Sequence, residues 1–407
     1  MKVISGGVTL AKGFRAAGTA AGIKYQDRPD MAMIYSEKPC RTAGTFTTNV
    51  VKAAPVIWDR DIVTGKGISQ AVVVNSGIAN ACTGEEGLSA CRETAEKAGS
   101  LLNIPADTVL VGSTGVIGMP LRMDKLLSGI EKLVPQLTPS PISGRDAADA
   151  IMTTDTKRKE AAVQLEIGGK RVTIGGMSKG SGMIHPNMCT MLAYVTTDVN
   201  ISQELLQEAA SESVRDSYNM ISVDGDTSTN DTFLLMANGM AENPEITEKN
   251  EDYKAFLEAL NYVNQSLAKQ MAADGEGATA LIEMRVVGAD TEENARTLAK
   301  SVVTSSLTKA AVFGHDANWG RILCALGYSG VSFDPAKLVL SFYGPQGNLT
   351  IFKDGKATDY SEEEATQFLS QDKVGILAEM NMGQEEATAW GCDLTYDYVK
   401  INADYRS

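Results

Sequence analysis

Short apolar runs broken by glycine-bearing turns recur along this chain, and they alternate with stretches whose apolar residues return every three or four positions. The first spacing predicts buried strands and the second predicts helices. The first sixty residues read as short strands and loops, with MAMIYSEKP and AGTFTTN as half-buried strands. A buried strand at 70–75 then leads through a turn holding Ser76 and Gly77 to a helix over 86–102. The figure repeats with a strand at 108–111, the turn Ser113-Thr114-Gly115 and a helix over 120–137. A helix at 144–152 precedes the hairpin AAVQLEIGGKRVTIGGM, which turns at Gly168-Gly169.

The second half continues the alternation. Helices are predicted over 253–271, 292–307 and 362–369, with strands at LIEMRVVGA, LVLSFYG and NLTIFKDG. The end, KVGILAEMNM and ATAWGCDLTYDYVKIN, reads as long alternating strands. This pattern predicts an α/β protein of two layered domains. The chain has 407 residues, more than the ~250–300 at which one hydrophobic core stops growing.

One stretch departs from the pattern. KGSGMIHPNMCTMLAYVTTD, residues 179–198, opens as a loop broken by Gly180, Gly182 and Pro186 and ends as an apolar strand over 191–195. Cys189-Thr190 stands at the join. A threonine there can act without a histidine if the chain is cut before it, because the freed α-amine, which ordinarily titrates near pH ~8, accepts the hydroxyl proton. The same hydroxyl can make the cut by attacking the Cys189 carbonyl in an amide-to-ester shift.

Other candidates sit on turns at strand ends. Asn75, Ser76 and Gly77 fall at a carboxyl end, where open α/β sheets place ligands. The Thr114 hydroxyl and the Gly115 backbone N–H suit an oxyanion hole, since glycine admits a carbonyl close to the main chain. Lys179 is the loop's only nearby cation and suits a substrate carboxylate or an ionised nucleophile. Glu276, between Gly275 and Gly277 at a strand entrance, suits an ammonium group. The run DGDTSTND, 224–231, has calcium-like spacing but lacks the glycine and glutamate an EF-hand requires, so it reads as a turn before a strand, near the site.

Charge and cysteine usage narrow the function. A net charge of −14 argues against nucleic acid, whose phosphates demand clustered lysine and arginine. Six cysteines without a C-x-x-C pair suggest neither a zinc knuckle nor a disulfide framework. No apolar run reaches the ~20 residues needed to span a bilayer, so the expectation is a cytoplasmic protein with no membrane partner. Neither histidine, His185 or His315, lies in a hydrolase motif, and no cofactor or metal is expected.

The central stretch resembles the signature of the ornithine acetyltransferase (ArgJ) family, usually K-G-S-G-M-I-x-P-N-M-A-T-M-L, with Cys189 standing where the family more often has alanine. The resemblance continues to the last residue. It implies a self-cleaving fold of the N-terminal-threonine-nucleophile type with mixed sheets, cut between Cys189 and Thr190 into segments 1–189 and 190–407. It also implies that Thr114 and Gly115 form the oxyanion hole and that Thr153, Lys179, Thr190, Glu276, Asn402 and Ser407 bind substrate. The implied substrates are N-acetylornithine and glutamate, with acetyl-CoA as a second candidate donor, and the implied assembly is a heterotetramer of two alpha and two beta chains. Two other readings share some of these residues: a self-cleaved aminopeptidase or amidohydrolase that uses water as acceptor, and an uncut amino-acid-binding protein.

Overall fold

The computed structural model describes residues 1–185 and 191–404. Their strands form two mixed sheets, of nine and seven strands. The first takes β1 (Lys2–Ile4), β2 (Phe14–Thr19), β3 (Met31–Phe46), β4 (Ile68–Asn75), β5 (Val109–Ser113), β6 (Lys159–Ile167), β7 (Lys170–Lys179) and β8 (Leu192–Thr197). It is completed by β10 (Thr232–Ala237), and its spatial order is β1-β6-β7-β8-β10-β3-β4-β5, with β2 beside β3. The second contains β9 (Ile221–Ser222), β11 (Leu281–Ala289), β12 (Val339–Gly344), β13 (Gly347–Lys353), β14 (Lys356–Ala357), β15 (Lys373–Glu379) and β16 (Glu385–Cys392). Its order is β14-β13-β12-β15-β11-β16-β9.

Helices cover both sheets. Over the first lie α1 (Ala54–Gly65), α2 (Gly84–Leu102), α3 (Met123–Leu133) and α4 (Pro141–Ala150). Next come α5 (Gln203–Arg215), α6 (Glu251–Ala273) and α7 (Glu292–Thr304), whose buried faces join residues of both sheets, such as Val195 and Ile282, in one core. Each such fully buried aliphatic side chain contributes roughly 1.5–3 kcal/mol. Then follow α8 (Ser306–Phe313), α9 (Trp319–Gly327), α10 (Glu362–Leu369) and α11 (Tyr396–Asp404).

Strand β8, which follows the central loop, lies between β7 and β10 and is buried along its whole length. That accounts for the run Leu192-Ala193-Tyr194-Val195, as expected of a strand covered on both faces. Residues on either side of position 190 therefore share one sheet.

Four expectations are corrected. MAMIYSEKP and AGTFTTN are one sixteen-residue strand, β3, whose pairing with β4 shifts register between Tyr35 and Cys40, around Pro39. Residues 54–65 form α1 instead of extended chain; its Asp59 is buried and accepts the Val111 backbone N–H, so a polar residue interrupts what would be its apolar face. The helix expected over 120–137 is α3 followed by a 3-10 turn at Val134–Gln136, where Pro135 cannot continue an α-helix. Finally, YDYVKIN is helix α11 and not a strand, because Thr395 Oγ1 accepts the Tyr398 N–H and so caps the turn.

Candidate active site

The carboxyl ends of β4 and β5 build one wall of a cleft. Thr114 N donates to the Asn75 carbonyl and Val116 N to the Gly77 carbonyl, so the two turns run side by side. Gly115 has φ +131°, and a Cβ there would lie 2.3 Å from the Gly77 carbonyl carbon; only glycine fits this approach. Asn230 Nδ2 donates to the Ser113 carbonyl at 2.9 Å, tying the 224–231 run to the same turn.

The floor is electrostatic. Lys179 ends β7 and is buried. Asp155, with its side chain fully buried, accepts Lys159 Nζ at 2.7 Å and the Gly180 N–H at 2.7 Å. Burial alone would raise its carboxyl pKa, but the Lys179 and Lys159 charges and these hydrogen bonds offset that and hold it down to about 2. Lys159 also meets Asp274 Oδ2 at 2.6 Å, so two lysines and two aspartates balance beneath the cleft. Thr154 and Ser181 share a hydroxyl hydrogen bond of 2.8 Å at its rim.

The loop that leaves β7 is gripped from the 221–227 segment. Asp224 accepts the backbone N–H groups of Met183 at 2.6 Å and Ile184 at 2.9 Å, and Thr227 Oγ1 donates to the His185 carbonyl. His185 Nδ1 lies 3.1 Å from Ser222 Oγ; burial, with the Lys300 charge nearby, pushes its imidazole pKa down to about 4, so it is neutral. The outer wall comes from the second half of the chain. Glu276 N donates to the Ser181 carbonyl, and a Cβ on Gly182 would meet the Glu276 carboxylate at 2.4 Å. Asn402 Nδ2, on α11, donates to Glu276 Oε2 at 2.8 Å.

The resulting cleft of about 140 Å³ is lined by Thr114, Gly115, Thr153, Lys179, Glu276 and Asn402, together with Thr154, Ser228 and Asn230. The first six are the residues within the described chain expected to form the oxyanion hole or bind substrate; Asn75 and Ser76 instead donate to the Ile78 and Ala150 carbonyls and, with Gly77, do not line it. Cys189, Thr190 and Ser407 lie outside the described residues. A recess of about 30 Å³ adjoins the cleft between Thr114, Lys179, Met191 and Asp231. A larger cleft of about 520 Å³, around Glu283 and Arg296, contains none of the predicted residues that lie within the described chain, and its charges pair with one another.

The sequence alone assigns no individual role to Asp155, Ser228, Asn230 or Asp231. The signal for the last three was the dense Asp/Ser/Thr/Asn composition of 224–231 immediately before a buried strand, which exceeds what a simple turn needs.

Fold and cleft together define a class: an α/β protein of two mixed sheets whose strand ends bring hydroxyls, a buried lysine and a carboxylate onto one small polar cavity. The ArgJ family pattern matches residues 15–407, and the chain belongs to the ArgJ family. The arginine biosynthesis bifunctional protein ArgJ of Symbiobacterium thermophilum is 53% identical over 409 residues, covering 100% of both chains. That of Thermotoga neapolitana is 50% identical over 400 residues, 98% of this chain and 100% of its own. Among solved structures, an arginine biosynthesis bifunctional protein from Bacillus halodurans is 47% identical, covers 52% of this chain and 97% of its own, and has a TM-score of 0.49. The ornithine acetyltransferase of Mycobacterium tuberculosis, complexed with ornithine, is 43% identical, covers 46% of this chain and 98% of its own, and has a TM-score of 0.43. No helix of the described residues is long and apolar enough to cross a membrane.

Proposed function

We propose that this chain transfers the acetyl group of N2-acetylornithine to glutamate through an acetyl ester on Thr190. The observation that carries the reading is the convergence of Thr114, Gly115, Thr153, Lys179, Glu276 and Asn402 on one cleft beside Met191, the residue that follows the nucleophile. The chain is first cut between Cys189 and Thr190, and segments 1–189 and 190–407 remain assembled as a heterotetramer of two alpha and two beta chains in the cytoplasm. Thr190 then attacks the acetyl carbonyl, and its α-amine takes the hydroxyl proton. Thr114 and the Gly115 N–H receive the oxyanion, a role that gains most from fixed donors in a dry site. Collapse breaks the carbon–nitrogen bond, the proton passes to the leaving amine, and ornithine departs.

Glutamate reverses these steps and leaves as N-acetylglutamate. Thr153, Lys179 and Ser407 hold the α-carboxylate end that both substrates share, while Glu276, steadied by Asn402, holds the ammonium of ornithine. The relatives' description as bifunctional supports a second activity, for which acetyl-CoA as donor to glutamate is the candidate. A denaturing gel tests the nucleophile. The wild-type chain is expected to run as two fragments, the second beginning at Thr190, and Thr190→Ala as one inactive chain; efficient cutting of the variant would end the proposal.

A further inference from the structure

Among the described residues, five charged or titratable side chains are buried at and beneath the recess, two lysines and three aspartates. Lys159 pairs with both Asp155 and Asp274, and the Lys179 charge acts on Asp155. Asp231 is the fifth. It is 2% exposed, and its Oδ2 accepts no hydrogen bond from the described residues. A buried carboxylate with no cation of its own is costly, and the inexpensive alternative is to keep its proton. Burial accordingly pushes its pKa well above the ordinary range, more than hydrogen bonds from Ser228 and Thr47 and the Lys179 charge pull it down.

Its position is equally specific. Strands β8 and β10 run parallel with Leu192 opposite Thr232, and Thr232 N donates to the Met191 carbonyl at 2.8 Å. Asp231 therefore stands beside Met191, the residue that follows Thr190 in the chain. The recess it lines with Thr114, Lys179 and Met191, about 30 Å³, has room for a water molecule. Asp59 is also buried with a free Oδ2, but it faces Val111 of β5 and lines neither cavity.

The cut before Thr190 has a need that the later acetyl transfer lacks. Until the chain is cut there is no α-amine: the nitrogen of residue 190 is an amide, which is not basic and leaves only if it is protonated. We propose that Asp231 is the acid–base group of self-cleavage, passing its proton to the departing nitrogen of residue 190 and taking up the one released by the attacking hydroxyl. This rests on the reading of Thr190 as the nucleophile. The Thr190 oxygen bonds to the Cys189 carbonyl carbon, the carbon–nitrogen bond breaks, and one proton leaves the hydroxyl while one reaches the nitrogen. Asp231 ends as it began, and water then hydrolyses the ester. Once the amine exists it serves as base, so Asp231 acts mainly before the cut.

The test follows freshly synthesised full-length chain on a denaturing gel over time, with thermal melting to establish folding. Asp231→Asn is expected to slow cutting by ~10²-fold or more, the usual worth of a positioned acid–base group, and to remove a neutral-carboxyl infrared band present in the wild type. Asp231→Glu, which keeps an acid, should be cut faster than Asp231→Asn. A folded Asp231→Asn cut at the wild-type rate overturns the proposal, as does a wild type with no neutral-carboxyl band that this substitution removes. If Asp231→Asn does not melt cooperatively, Asp231→Glu decides, and a folded glutamate variant that stays whole counts against the role. A wild type that is itself uncut, or cut elsewhere, contradicts the Thr190 reading instead.

Discussion

The inner floor of the cleft and its outer wall are built on opposite terms. The floor, from Asp155, Lys159, Lys179 and Asp274, is buried and cross-bonded, and its lysines stand at the ends of the neighbouring strands β6 and β7 of the nine-stranded sheet. The wall is Glu276, half-buried, and Asn402 on α11, a nine-residue helix with no buried residue. A helix that short is marginal by itself, and this one is tied down by the Asn402 contact and by Tyr398 Oη donating to Asp224 at 3.3 Å. On the proposed reading, the lysine that meets the carboxylate shared by both substrates is fixed by the core, and the glutamate that meets ornithine's ammonium sits where local stability is low.

Breaking the floor should have the largest effect on the protein as a whole. Asp155→Ala leaves Lys159 and Lys179 short of a counter-charge, and loss of one member of a buried ion pair costs about 3–5 kcal/mol; urea denaturation should read it. The same group sets a pH signature. Its folded pKa of about 2 lies below the 3.8 of an unperturbed aspartate, so its contribution is present above that value and is lost as pH falls through about 2. The melting temperature should drop across that window in the wild type, and less in the variant.

The next effect separates chemistry from stability. Thr114→Ala should lower turnover by ~10²–10³ while changing stability by no more than about 0.5 kcal/mol, as for an ordinary surface turn. Unchanged turnover in the folded variant would make Thr114 a turn residue only. Smaller again is the wall: Glu276→Gln should raise the Michaelis constant for N-acetylornithine about tenfold, the equivalent of roughly 1.4 kcal/mol, with little change in melting. If it lowered turnover and left binding intact, the contrast between floor and wall would fail.

The contrast also explains what the sequence made legible. The strand–turn–helix repeats around β4 and β5 and the β6–β7 hairpin follow from local period and glycine placement, and both appear within a few residues of expectation. The Thr114–Gly115 turn was readable for the same reason. Helix α1 was hidden because its buried Asp59 bonds across to β5, a partner no local window contains. Helix α11 was hidden because YDYVKIN alternates like a strand, while its cap, its tie to Glu276 and its tie to Asp224 come from Thr395 and from residues more than a hundred positions away. Asp155 and Asp231 matter through charge balance across β6, β7 and β10, and spacing along one chain does not carry that sum.

The measurement closest to the central claim is the mass of the fragment beginning at Thr190 after incubation with N-acetylornithine alone. One nucleophile serving two amines in turn requires the first to leave before the second reacts. The account predicts a burst of ornithine matching the number of sites and a fragment heavier by one acetyl group, which glutamate then removes. An unmodified fragment, together with double-reciprocal plots that intersect instead of running parallel, would mean direct transfer between two bound substrates and would contradict the covalent role of Thr190.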